Sequence, residues 1–580
     1  MSGPRSAGAP LPAASAPPKA RAAGAAPPGL PALAQGIFLG GLLGAFLVAP
    51  PLLVLKEAFF PGGGFSVSLF RSMAGNPVLV RSLWNSLLIG LAATAVATAL
   101  ALPFAALLGR YRFPGRRLLQ AGVMLPLLLP PFAGALAVKQ FLGRYGSLNL
   151  LLQEWGLTDG PVDFLGAGMA GVILLEGLHL FPILYFSLVH HFASLNGDSE
   201  DAALCFGGRK PAYYRRILLP EIRPGLFAGM ALVFVWAFTD LGTPLLMEFR
   251  LVLPYQAFSL VTDLNQNPMG YALTAVMGAV GLGGYWFSQW LGRGQAPSHA
   301  KVYRPAPEKV LAGPGAWLTT AILSGVLLAA SLPLVFLVLL AFAEGWFLSI
   351  APESLTGAHF AGLMEHRITR GSIQTSLLLS SLACLVDLVL GYWLARIVVA
   401  APGWRARLIE TLAMAPLALP GIILAFGYVA LFSGMPLDPA GNPLFLLVMA
   451  YAMRRLPFAF RSVLTGYRSL PAQIDEAAQT LGQGFWGRLW NIHLPLLTPY
   501  LLASGMLVFA FSMLEVSDSL VLAMKELYYP ITKAIYFLAS RAGDGYNLAA
   551  ALAVIGMAAL AAAILAANRL MGRRFGEMFR

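Results

Sequence analysis

Long apolar runs separated by short polar segments fill the chain from about residue 34 to its end. The first six lie near 34–55, 82–108, 118–142, 168–191, 225–247 and 271–292, and six more near 314–343, 372–400, 408–433, 444–466, 500–523 and 546–570. Each is long enough for a helix to cross a hydrocarbon layer of about 30 Å at about 1.5 Å per residue. A lone strand would leave its backbone unsatisfied in lipid, so every run is expected to be helical. The pattern predicts an all-α membrane protein with twelve transmembrane helices.

The runs fall into two matching sets. Pro126 and Pro130 in "MLPLLLPPF" recur as Pro416 and Pro420 in "MAPLALPGI". "FPGRRLL" recurs as "APGWRARLI", and Pro182 in "HLFPILYF" matches Pro457 in "RRLPFAFR". Each set has six runs, so the two repeats run parallel, related by an axis along the membrane normal. The expected units are a Pro/Ala-rich disordered tail (1–33), a first half (34–292), a polar linker (293–313) and a second half (314–580).

Composition agrees. The chain is 58% hydrophobic and 11% charged, against roughly 45–50% and 25% in soluble domains. The net charge of +13 does not point to nucleic acid, because the basic residues sit in short loops between apolar runs. With both termini in the cytoplasm, about 26 of the 39 Lys and Arg fall on the cytoplasmic side. Cys205 and Cys384 lie in a loop and a span, so no disulfide framework is expected.

The most regular polar feature is a repeated loop. "NGDSEDAALCFGGRKPAYYRRILLPEIRP" (196–224) and "QIDEAAQTLGQGFWGRLWNIHLPLLTP" (473–499) superpose without a gap. Asp201-Ala202-Ala203 lies over Glu476-Ala477-Ala478, Gly207 over Gly482, Leu219-Pro220 over Leu494-Pro495 and Pro224 over Pro499. In each copy an acid-led, Ala-rich helix is expected to break at the glycine, which tolerates positive φ. A second short helix follows, expected to end at Pro220 or Pro495 before the next span. Two such knobs on one face imply a two-fold partner beneath.

The spacing Glu/Asp-Ala-Ala, three residues, Gly, nine residues, Ile, one residue, Leu-Pro resembles the signature loop of permease subunits of bacterial ABC importers. Asp201 departs from the usual Glu, and Glu200 is placed to share its role. The two-half fusion is similar to ferric iron permeases and their thiamine and phosphonate relatives, through "VFVWAFTDLGTPLLM", "YAMRRLPFAFRSV" and "MLEVSDSLVLA". The resemblance implies a type I importer permease in the bacterial inner membrane. Its partners would be a cytoplasmic homodimeric ATPase, a periplasmic or extracellular solute-binding protein, and membrane lipid. It makes Glu200, Asp201, Ala202, Ala203, Gly207, Glu476, Ala477, Ala478 and Gly482 the ATPase-coupling residues.

The chain carries no G-x-x-x-x-G-K-[ST] phosphate loop and no ligand spacing of the structural-zinc type. ATP and Mg are therefore expected on the partner, with no cofactor, metal or catalytic residue here. Buried charges mark candidate pathway or gate residues: Glu176, His179, Asp240, Asp387, Arg454, Glu515 and Asp518. Glu176 and His179 are three apart and share a helix face. Asp240 and Glu515 are repeat-equivalent. If both face the axis they repel when ionised, unless a cation or shared proton intervenes. Asp387 and the pair Arg454-Arg455 read equally well as partners in interhelical ion pairs. Carboxylates suit a hard ferric cation, the first cargo expected, and the deep arginines suit a phosphonate or sugar phosphate just as well, so this chemistry leaves the cargo open. A twelve-span secondary transporter driven by an ion gradient would share the span count but not the repeated loop.

Overall fold

The computed structural model describes residues 30–193, 195, 213–260, 268–292, 308–400, 403–541 and 543–571. Most of the first repeated loop, including Glu200, Asp201, Ala202, Ala203 and Gly207, lies outside them.

The first half contributes α1 (Phe38–Phe59), α2 (Pro77–Arg110), α3 (Pro131–Leu142), α4 (Met169–Ala193), α5 (Leu219–Thr239) and α6 (Met269–Gly292). The second contributes α7 (Pro314–Phe342), α8 (Arg367–Ala400), α9 (Gly421–Phe432), α10 (Leu444–Ser469), the loop helix α11 (Ala472–Thr480), α12 (Leu494–Met513) and α13 (Gly545–Met571). Among the described residues, eight segments are long and apolar enough to cross a membrane, or ten if two bent pairs each count as one. The expected count of twelve is thus not reached on length and apolarity. The two remaining segments, α6 and α10, are long enough but less apolar, and α10 carries Arg454, Arg455, Arg461 and Arg468.

The expected spans at 118–142 and 408–433 are not straight. The helix pairs there bend by 97° and 102°. The breaks fall at Leu129-Pro130 and Ala418–Pro420, where proline has no N–H for the ladder and restricts the residue before it.

The halves exchange their first helices. α1 packs against α9, where the Tyr428 hydroxyl donates to Phe46 O at 2.7 Å and Phe46 stacks on Phe432. α7 packs reciprocally against α3, with Phe141 and Phe336 rings 4.5 Å apart. Within the halves, α2 lies on α4 and α8 on α10. A Cβ at Gly391 of α8 would stand 3.0 Å from Ala459 C of α10, so that crossing needs a glycine.

The end of the linker is not a free connector. β1 (Tyr111–Arg112) and β2 (Lys309–Val310) pair in parallel, and Glu308 bridges Arg112 and Arg116 of the first half.

Candidate functional site

The halves line a cavity of about 110 Å³ whose titratable side chains are Glu176, His179, Asp240, Arg454, Arg455 and Glu515. Glu176 and His179 project from α4 and the arginines from α10. Asp240 and Glu515 sit where two helices break. α5 ends at Thr239, Asp240 is extended, and a short helix resumes at Gly242–Leu246. α12 ends at Met513 and helix resumes at Ser517–Leu522.

On the first-half wall the Thr243 hydroxyl donates to Glu176 Oε1 at 2.7 Å, and the Thr243 N–H donates to Asp240 Oδ2 at 2.7 Å. The Glu176 and Asp240 carboxyls thus share Thr243 as a donor. His179 does not pair with Glu176 despite sharing its helix face; its Nδ1 lies 3.1 Å from Pro126 O, a carbonyl that only accepts.

On the second-half wall Arg454 Nη1 lies 2.5 Å from Glu515 Oε1 and 3.6 Å from Asp518 Oδ2. Arg455 Nη2 binds Glu515 Oε2 and also donates to Phe511 O at 3.0 Å. Asp240 and Glu515 line the same cavity, but neither stands bare. Two guanidiniums occupy Glu515, and the acid beside Asp240 is Glu176. Asp387 is fully buried on α8, and neither of its oxygens has a hydrogen-bond partner among the described residues; Arg455 acts on it through charge without a hydrogen bond.

Superposing the repeats on the 275-residue offset of the loops puts Glu176 over Tyr451, His179 over Arg454, Leu180 over Arg455 and Thr243 over Asp518. The first half carries its acid on the long helix and its hydroxyl after the break. The second half reverses this, with Tyr451 bonding Ser519 Oγ at 2.6 Å beside Asp518. Gly421 completes the difference, since a Cβ there would stand 1.7 Å from Arg454 Nη1. Thr243, Tyr451 and Gly421 escaped the search for charged residues; the repeat register itself carries their signal.

The described copy of the loop folds as two helices about Gly482. α11 closes with Gly482 at φ 79°, the Gly482 N–H donating to Gln479 O and the Gln483 N–H to Ala478 O, both at 3.0 Å. Such closure needs a left-handed residue just past the helix. Glu476 and Ala477 are exposed on α11, and Ala478 is buried. The second helix does not stop at Pro495. It runs from Phe485 through a π turn at Leu489–His493 into α12, one segment to Met513. The wider turn absorbs the N–H that proline lacks. The first half has the same turn at Tyr214–Leu218, ahead of Pro220.

Residues 101–296 and 387–576 each match the family described as binding-protein-dependent transport system inner membrane component. Over 548 residues the chain is 24% identical to the ferric transport system permease protein FbpB of Actinobacillus pleuropneumoniae, covering 91% of this chain and 76% of that one. It is 25% identical over 496 residues to a putative ferric transport system permease protein of Haemophilus influenzae, covering 81% and 75%. It is 26% identical over 404 residues to the thiamine transport system permease protein ThiP of Escherichia coli, covering 66% and 70%. A crystal structure of a bacterial ABC transporter that imports alginate aligns with 44% of this chain and 96% of its own at 20% identity, with a TM-score of 0.35. With two copies of the family domain across most of its length, the chain belongs to the binding-protein-dependent transport system inner membrane components, and is a multi-pass, two-half permease of an ABC importer rather than an enzyme.

Proposed function

We propose that this permease forms the whole passage for ferric iron, delivered by a solute-binding protein outside and driven by a homodimeric ATPase inside. The observation that carries the reading is the charge on the central cavity. Both guanidiniums lie against Glu515, with Asp518 next to Arg454, so neither stands free for an anionic cargo. Glu176 and Asp240 give the first-half wall its own acids. That balance favours a cation over a phosphonate or sugar phosphate, and the two ferric relatives align along most of the chain. Among the described residues no three His, Cys, Asp or Glu groups are placed to hold a metal together. Iron in this reading is cargo in transit.

Coupling in this reading runs through the loops 196–224 and 473–499, with both termini in the cytoplasm. ATP and Mg act on the partner. Closure of the ATPase pair draws the loops together and turns the halves outward. The exposed Glu476-Ala477 edge of α11 is the docking surface on the second half, and Glu200, Asp201, Ala202, Ala203 and Gly207 form its counterpart on the first. Capture of the ATPase by Glu476→Lys and Asp201→Lys chains tests this. Each variant should weaken capture, and the double variant should weaken it further, because charge reversal at a desolvated contact raises dissociation. Native capture by the double variant would remove these acids from the interface.

A further inference from the structure

His493 lies in the π turn that joins the second loop to α12, and it is buried, 4% exposed. Three elements converge on its imidazole. Nε2 lies 3.1 Å from Asp475 Oδ1 of α11. Nδ1 lies 2.8 Å from the Tyr392 hydroxyl of α8 and 3.0 Å from the Tyr467 hydroxyl of α10. A carboxylate only accepts, so Nε2 donates to Asp475; a neutral ring then accepts at Nδ1 from one of the two phenols, and the phenols bond each other, which keeps both in the cluster. Arg488 Nη1, 3.3 Å from Asp475 Oδ2, holds the other carboxylate oxygen. Beside this cluster the Arg396 guanidinium of α8 covers the Phe485 ring at 4.4 Å.

Among the described residues, Asp475 is the one α11 side chain with hydrogen bonds outside its own helix. The relay is therefore the polar tie between the loop helix and the spans. Among the described residues the first half is tied differently, by Arg110 Nη1 of α2 donating to the Tyr213 hydroxyl at 3.1 Å. Leu218 stands for His493 and Phe192 for Tyr467, both buried and neither able to hydrogen-bond through its side chain.

We propose that His493 is a positioning residue for energy coupling. The Asp475–His493–Tyr392/Tyr467 relay is the stiff link that carries movement of the second loop into α8 and α10. Oriented hydrogen bonds transmit a displacement that an apolar contact such as that at Leu218 absorbs by sliding. The proposal rests on the reading of 473–499 as the ATPase-docking loop.

The experiment uses the full permease with its ATPase in lipid nanodiscs. Spin labels at Trp155→Cys and Met435→Cys, both exposed, report opening between the halves, with Cys205 and Cys384 replaced by Ser. Opening is read with ATP bound and hydrolysis blocked, so no cargo is needed. His493→Leu, which copies the first half, should capture the ATPase as the native chain does. Its ATP-driven open fraction should fall about tenfold, the scale of one buried hydrogen-bonded group. Tyr392→Phe, which removes a single oxygen and decides the matter should His493→Leu fold poorly, should lower the fraction less. His493→Gln, which can both donate and accept, should restore it. Native opening in both His493→Leu and Tyr392→Phe would overturn the relay, as would lost ATPase capture in His493→Leu, which would make the cluster part of the docking surface. Native capture by Glu476→Lys would instead refute the docking-loop reading, and the relay would fall with it.

Discussion

Arg454 Nη1 stands 2.5 Å from Glu515 Oε1, and Arg455 closes on the other oxygen of the same carboxylate. One acid on a helix break thus ties down two cations from a single helix. Breaking such a pair by removing one partner costs about 3–5 kcal/mol, since the survivor is left charged and dry. Glu515→Gln strands Arg455 and leaves Arg454 only its longer contact with Asp518, and should lower thermal stability sharply. Asp240→Asn, which strands no cation, should cost far less. Differential scanning fluorimetry of the two detergent-purified variants checks the order, and equal losses would contradict the assignment.

Gly421 gives a milder probe of the same wall. A methyl at this position overlaps the tip of Arg454, which is flexible and can swing away. Gly421→Ala should therefore fold, at a cost of about 1–3 kcal/mol for overpacking. It should reduce ATP-driven uptake by weakening the hold of Arg454 on Glu515. Unchanged uptake would show that this ion pair plays no part in passage.

At Gly482 the constraint is the backbone alone, for nothing lies within 4 Å of a Cβ built there and φ is 79°. Asparagine enters the left-handed region far more readily than a β-branched residue. ATPase capture should therefore rank Gly482, then Gly482→Asn, then Gly482→Val. Gly482→Pro, locked near φ −65° and without its N–H, should uncouple hydrolysis from uptake altogether. Equal capture by the Asn and Val variants would mean that the left-handed turn is not required for docking.

The linker contact gives a pH test. The bond from Arg112 holds the Glu308 carboxyl below the usual glutamate range, and Arg116 adds to it. A folded value below the unfolded one means that the contact contributes fully above the unfolded value. Its contribution is lost as pH falls through the folded value. A spin label at Val310→Cys should therefore keep its mobility from pH 7 to 5 and loosen only below about 4.3. Glu308→Gln should be loose at every pH. Loosening of the native linker between pH 7 and 5 would contradict the assignment.

Much of this was legible in the residues, and the reasons differ by element. Apolar runs fix helices in lipid, and the repeat of "DEAAQTLG" spacing located the loop and its glycine turn, seen at Gly482. Depth in an apolar run singled out Glu176, His179, Asp240, Arg454 and Glu515, which line one cavity. Partners were harder. Arg454 and Glu515 are 61 residues apart, and no helical period links them. Asp387 has the same signature as Arg454, a charge deep in a span, yet among the described residues it makes no hydrogen bond, the Arg455 guanidinium being turned to Glu515. Pro495 reads as a stop, but the π turn before it lets the helix continue. His493, flanked by apolar residues, gave no sign of the three elements that meet on it.

The most direct measurement is uptake of radiolabelled ferric ion by proteoliposomes holding the permease and its ATPase, with the solute-binding protein outside. Uptake should require ATP and the ATPase, persist when a proton ionophore collapses the gradient, and fall with Glu476→Lys. Iron uptake by the permease alone under a proton gradient would contradict the account.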